Sequence, residues 1–162
     1  MNLERPLYGD IRDKAVALLA ASDKTKRALY KKLCYHFASD TRAPREEIFS
    51  ICADVCREME SAGYINELEY ATRRAVDLKR RCYGAFHIRK YLREHDVGER
   101  LSEKVIAELG NFHEEITKLI TEKFSAEDLS DFKKRKKIFD SLYRRGFSSA
   151  DVIDVIDELN KR

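Results

Sequence analysis

Fourteen cationic side chains are the residues whose type and spacing suit chemistry with a partner. Arg73, Arg74, Arg80 and Arg81 come first, then Arg89, Lys90 and Arg93, then Lys133, Lys134, Arg135, Lys136 and Lys137, and last Arg144 and Arg145. Such groups make charge-assisted hydrogen bonds to phosphate or carboxylate, and guanidinium does so with two parallel donors. The net charge of the chain is only +3, so bulk charge does not announce a nucleic-acid binder. Its distribution says more. Residues 73–100 carry nine Lys/Arg against four Asp/Glu, net +5, and residues 133–145 carry seven against one, net +6. Both patches are expected to bind a partner through its phosphates or its acidic surface. Plainer alternatives stand beside this. The Lys133–Lys137 run also suits a solvated helix face, and Arg144 and Arg145 before Gly146 also suit a helix C-terminus, where cations gain ~0.3–1 kcal/mol from the dipole.

No other constellation carries chemistry. There is no glycine-rich phosphate loop, nucleophile elbow or paired-histidine metal motif, so no enzyme is expected. Cys52 and Cys56 lie one helical turn apart, but no further Cys or His is close enough in sequence to complete a zinc site, and they read as buried thiols. His36, His87, His95 and His113 are scattered. No cofactor and no metal is expected. The four cysteines lack disulfide spacing. No stretch is apolar and long enough to span a bilayer, and MNLERPLYGD has no signal-peptide core, so a cytoplasmic protein is expected, without membrane contact.

The elements that must hold these charges are helices. A chain 38% charged with only two prolines is rich in helix formers and poor in turn formers, so the fold class is all-α. Residues 1–9 read as a lead-in. Helices are then expected at Ile11–Ala21, after Thr25, and after Pro44, the last running down to Gly63. The stretch Gly63–Val97 is the centre of the chain. Asn66 and Glu69 resemble a capping box. Leu68, Ala71, Thr72, Ala75, Leu78 and Cys82 recur as one apolar stripe, Gly84 breaks the run, and Ile88, Tyr91 and Leu92 begin a second stripe. Tyr70 falls on the polar side, where it suits packing against a neighbouring unit. Further helices carry Val105, Ile106 and Leu109; then Phe112, Ile116, Leu119, Ile120 and Phe124; then Phe132, Ile138, Phe139 and Leu142; then Val152, Ile153, Ile156 and Leu159. Ser125–Ser130 is a turn or a fresh cap.

These nine or so helices fall into three similar groups. Leu29, Ile88 and Ile138 correspond, as do Leu33, Leu92 and Leu142, and Ile48, Val105 and Val152. This predicts an elongated array of three tandem three-helix, helix-turn-helix-like repeats, over residues 10–63, 64–110 and 111–162.

Four segments resemble the RecX family of bacterial recombination regulators. Gly63-Tyr64-Ile65-Asn66-Glu67 with Tyr70-Ala71 is similar to its G-Y-L-D-D-x-x-[FY]-A segment. Gly84-x3-Ile88-x3-Leu92-x4-Val97 resembles its G-x3-I-x3-L-x3-G-[IV] corner, and Leu142-Tyr143-Arg144-Arg145-Gly146-Phe147-Ser148 its C-terminal L-x-R-R-G-[FY]-S signature. Ser22-Asp23-x-Thr25-x3-Leu29-x3-Leu33 resembles its opening. The segments run in order over residues 11–160. Three positions depart: Asn66 replaces an acidic residue, Ala28 replaces a Glu and removes half of a capping box, and Asp96 replaces a Gly, which predicts a less sharply turned helix end. The resemblance implies a non-enzymatic, monomeric protein that lies in the groove of the RecA–single-stranded-DNA filament. There it would hinder filament growth, ATP hydrolysis, strand exchange and repressor cleavage in recombination, DNA repair and the SOS response. Two readings compete with it. One is nonspecific helix-turn-helix-like DNA binding, disfavoured because the would-be recognition helices SEKVIAEL and SSADVIDVIDEL are acidic. The other is a helical-repeat scaffold for another protein.

Overall fold

The computed structural model describes residues 6–162, and among them every regular element is a helix. In chain order these are α1 (Pro6–Ala21), α2 (Lys26–Phe37), α3 (Arg45–Ser61), α4 (Glu67–Arg80), α5 (Ala85–Glu94), α6 (Glu99–Glu108), α7 (His113–Thr121), α8 (Ala126–Ser130), α9 (Phe132–Arg144) and α10 (Ser149–Asn160). They divide into two compact units, Met1–Tyr70 and Ala71–Arg162.

In the first unit α1, α2 and α3 pack on one core that includes Ile11, Leu29, Leu33, Ile48, Val55 and Met59, all inaccessible to solvent. Residues 6–9, expected as part of a lead-in, already belong to α1. Leu7 and Tyr8 are buried because Leu7, Ile11 and Ala15 continue a single stripe. Pro6 suits a first turn, where its missing N–H is not needed. Residues 1–5 of the expected lead-in lie outside the described residues. Thr25 caps α2, its buried hydroxyl accepting from the Ala28 amide at 3.1 Å. The carboxylate that Ala28 lacks is supplied from elsewhere, since Glu67 Oε1 accepts from the Lys26 amide at 2.8 Å. Glu58 ties α3 to α1 by accepting from the Tyr8 hydroxyl and, at 2.7 Å, from Arg12 Nε.

Asn66 begins α4 as expected, its Oδ1 accepting from the Glu69 amide at 3.1 Å. The stripe is shifted from the expected one. Leu68 is 43% exposed, whereas Tyr70, expected on the polar side, is buried with Ala71, Ala75, Leu78 and Cys82. The buried face is thereby turned from the expected one by part of a turn.

In the second unit, the ends of α4, α5 and α9 are built to one plan. Residues Tyr83, Val97 and Phe147 each donate their amide to the carbonyl five residues back, at Leu78, Leu92 and Leu142, over 2.9–3.3 Å. Tyr64 and Met59 do the same at the end of α3, at 2.9 Å. Each stop needs one residue in the left-handed region just before that donor. Gly63 and Gly146 supply it at φ 82° and 90°, but Cys82 and Asp96 adopt φ 59° and 63° with side chains present. The end of α5 is therefore as sharply turned as its glycine-bearing counterparts, contrary to the expectation from Asp96. Ser125–Ser130 resolves as a one-turn helix with a complete capping box, Ser125 and Asp128 each accepting from the other's amide. Asp131 then caps α9, accepting from the Lys134 amide at 3.0 Å. All nine residues aligned as repeat equivalents, from Leu29 to Val152, are buried. Two expected stripe members of this unit are exposed: Phe132 at 81%, and Ile153 at 48% while Val155 takes its buried place.

Gly84 and Gly146 touch backbone to backbone. A Cβ on Gly84 would sit 2.3 Å from the carbonyl group of Gly146, and one on Gly146 would sit 2.4 Å from the His87 amide nitrogen. Gly98, by contrast, has nothing within 4 Å. Gly84→Ala and Gly146→Ala should each cost at least about 3 kcal/mol, the upper end of ordinary single substitutions, and Gly98→Ala well under that; thermal unfolding of the three variants measures this. Leu92 is fully buried, so Leu92→Ala should cost ~2–5 kcal/mol by denaturant titration, and a cost near zero would remove it from the core.

Candidate partner-binding site

The Gly84–Gly146 seam decides what stands next to what in the second unit. The Gly84 amide donates to the Arg145 carbonyl at 2.9 Å and the Phe86 amide to the Gly146 carbonyl at 3.0 Å. Two free donors at the start of α5 are thereby met by free carbonyls at the end of α9. The positive end of one helix faces the negative end of the other, which is the favourable sense.

Arg145 closes a third helix end into the same place. Its Nη1 donates to the Cys82 carbonyl at 3.2 Å and lies 3.4 Å from that of Arg81, beyond the last turn of α4. The guanidinium also lies over the Tyr83 ring, 5.3 Å from its centroid, and that of Arg81 lies 5.7 Å from it. Tyr83 in turn stacks on His87, with centroids 4.1 Å apart and planes 18° apart. Arg145 is thus a positioning group as well as a charge.

Beside this stack lies an open groove of about 310 Å³ lined by Phe86, His87, Lys90, Tyr143, Arg144 and Gly146. Phe86 and Tyr143 are exposed aromatic walls, 55% and 62% accessible. Lys90 and Arg144 contribute charge from two helices far apart in sequence. Arg89 crosses α5 to α6 as a two-point ion pair with Glu103, and its guanidinium lies 5.4 Å from the Phe86 centroid. Burial is the chief cause that lowers the His87 pKa, with Lys90, Arg145 and Arg81 pushing the same way and Glu94 against them. Aromatic faces among cations suit stacking of planar groups and attraction of phosphate or carboxylate.

The other expected binding residues are placed as follows. Arg73, Arg74, Arg80 and Arg93 are exposed on α4 and α5, away from the groove lining. Lys133, Lys136 and Lys137 are exposed on α9, while Lys134 pairs with Asp128 and Arg135 lies 3.8 Å from Asp157. Nine of the fourteen cations thus fall into two groups rather than one face: Arg81, Lys90, Arg144 and Arg145 around the seam, and the 133–137 run on the early turns of α9; Arg73, Arg74, Arg80, Arg89 and Arg93 belong to neither. Sequence reasoning missed Phe86, His87, Tyr83 and Tyr143. The available signal was aromatic residues interleaved with the cations of both glycine motifs. It also missed Lys79, whose ammonium donates to the carbonyls of Leu109 and Asn111 at 2.7 and 2.8 Å.

Among the described residues no group of three or more His, Cys, Asp or Glu is arranged to hold a metal ion. Burial raises the thiol pKa of Cys52 to about 12 and of Cys56 to about 11, as befits packed thiols. No helix of the described residues is long and apolar enough to cross a membrane.

The chain is similar along nearly its whole length to curated bacterial proteins. Regulatory protein RecX of Escherichia coli (strain SE11) and that of Shigella sonnei (strain Ss046) are each 25% identical to it over 155 residues, 93% of this chain and 92% of theirs. Residues 113–156 match the family model of the third three-helix domain of RecX. The chain thus resembles RecX proteins along nearly its whole length. The crystal structure of RecX from Lactobacillus salivarius has the same all-helical fold, with a TM-score of 0.77 and 18% identity over 96% of this chain and 98% of that one. These relatives are named as regulatory proteins.

The depressed His87 pKa makes a signed prediction. The unfolded chain takes up its proton near the ordinary value of about 6.5, and the folded chain only at lower pH. His87 therefore costs no stability above the ordinary value, and stability is lost as pH falls through the folded value. Unfolding of the wild type followed from pH 7 downward should lose stability more steeply than that of His87→Gln.

Proposed function

We propose that this protein binds the RecA–single-stranded-DNA filament and restrains it: filament extension, ATP hydrolysis, strand exchange and stimulated repressor cleavage. It would act in homologous recombination, DNA repair and the SOS response. In this reading it is a cytoplasmic, non-enzymatic regulator, built of three tandem three-helix units over 10–63, 64–110 and 111–162. Its partner is the RecA recombinase, with weak, nonspecific and salt-dependent affinity for DNA alone. Likeness over 93% of the chain to proteins named as regulatory supports it. One observation carries it furthest. The two glycine motifs that prompted the resemblance, Gly84–Val97 and Leu142–Ser148, meet at one seam and bring Lys90 and Arg144 into a single groove with Phe86 and Tyr143. That gives a reason for both motifs to exist in one chain. Occupying a filament groove needs surface charge and exposed aromatics rather than a reactive group, and the seam offers these. Sequence-specific reading of a DNA duplex is not favoured, because α10, which stands where a recognition helix would, carries four acidic residues and no basic one.

The test is the rate of ATP hydrolysis by a preformed RecA filament on single-stranded DNA, titrated with this protein. Inhibition is expected. The double variant Lys90→Glu with Arg144→Glu should need at least about tenfold more protein for the same effect, with unchanged helicity. No inhibition at a salt concentration low enough to permit binding would overturn the reading, and equal inhibition by the variant would move the contact away from this groove.

A further inference from the structure

Phe132 and Ile153 are the exposed apolar side chains that the packing of α9 and α10 leaves unexplained. They are not scattered. With Phe139, Ile156, Arg135 and Lys136 they line an open groove of about 440 Å³, which Asp140 also borders. The spacing is helical on both walls: positions 132, 135, 136 and 139 share one face of α9, and 153 and 156 share one face of α10. Clustered exposed apolar surface of this kind marks a docking place.

The charge of the walls says what docks there. The α9 wall carries six cations and one carboxylate over Phe132–Arg144; α10 carries four carboxylates and no cation over Ser149–Asn160. Some of this charge is met internally, Lys134 by Asp128 and Arg135 by Asp157. Lys136 in the lining, with Lys133 beside it on α9, and Asp154 beside the α10 wall are left for a ligand. A nucleic-acid strand would be attracted by one wall and repelled by the other. So would a uniformly acidic helix, and a uniformly basic one would meet the reverse.

We propose that the α9–α10 groove docks an amphipathic helix of a partner protein that carries an apolar stripe along its base, carboxylates along the flank facing α9 and cations along the flank facing α10. The apolar stripe covers Phe132 and Ile153 and supplies the affinity, and the two flanks supply the selectivity. The inference is independent of the filament reading, since it rests on the earlier turns of α9, with α10, and on protein rather than phosphate chemistry.

Three fluorescein-labelled helical peptides test it on the full chain by anisotropy. They share one Leu/Phe stripe and differ in their flanks: Glu on one and Lys on the other, Glu on both, or Lys on both. The mixed peptide should bind at least about tenfold tighter than either uniform one. Phe132→Ser and Ile153→Ser, both at exposed positions and therefore compatible with folding, should each weaken it about tenfold with unchanged helicity. Lys133→Glu combined with Lys136→Glu cuts the net charge of the α9 wall from +5 to +1 and should shift the preference toward the Lys-flanked peptide. Equal binding of the three peptides, no saturable binding of the mixed one, or a preference unmoved by the double reversal overturns the proposal. A labelled single-stranded oligonucleotide that binds wild type but not Phe132→Ser would assign the groove to nucleic acid instead and overturn it equally.

Discussion

A contact between two residues without side chains governs the second unit. Gly84 and Gly146, sixty-two positions apart, approach until a methyl group on either would overlap the other's surroundings. The two main-chain hydrogen bonds formed across the seam are each worth only about 0.5–1.5 kcal/mol. Their value is positional. They set the first turn of α5 on the last turn of α9, and from that follow the groove between Phe86 and Tyr143, the pairing of Lys90 with Arg144 as neighbours, and the reach of Arg145 to the end of α4. A larger residue at either glycine would separate the helices and disperse the charges.

The helix stops that lead into this arrangement have a cost the chain accepts. A left-handed residue with a side chain is disfavoured by roughly 1–2 kcal/mol, yet both Cys82 and Asp96 adopt that conformation. Each is followed by a residue whose amide closes the turn and, in Tyr83 and Val97, one whose side chain is at least half-buried. Aspartate tolerates the conformation better than most residues do. At Cys82 the side chain is buried, so packing offsets the strain.

Much of this was legible in the sequence, and the failures have physical causes. Apolar spacing located the helices and placed Leu33, Leu92, Leu142 and their neighbours in the core, because a period of 3.6 residues is visible without coordinates. Periodicity fixes a face only to within part of a turn. Leu68 and Tyr70, or Ile153 and Val155, are therefore easily exchanged, and in each pair the structure buries the second. The early start of α1 was hidden because Leu7 and Tyr8 stand beside Gly9, a residue that reads as a breaker. Phe132 misled in a different way. Its apolar character and spacing fit a stripe that the fold leaves open to solvent. Of the candidate site, the cations could be read but not their grouping. Arg145 in particular looked like one more surface charge, and its inward role depends on carbonyls at residues 81 and 82 that no spacing rule reaches. The seam itself has no side-chain signature beyond two glycines.

The same seam sets an order of events during synthesis. Everything in the first core, from Leu7 to Ile65, is available once the chain has grown a little past Ile65, and chains are made N-terminus first. The α5 end is exposed by the ribosome early, but its amides at Gly84 and Phe86 have no partners until Arg145 and Gly146 emerge. From the emergence of α5 until that of Gly146 the protein holds a finished first unit and half of a binding site. A nascent chain stalled or cut anywhere before Gly146 would keep the cations of α4 and α5 and still lack the geometry that makes them a site.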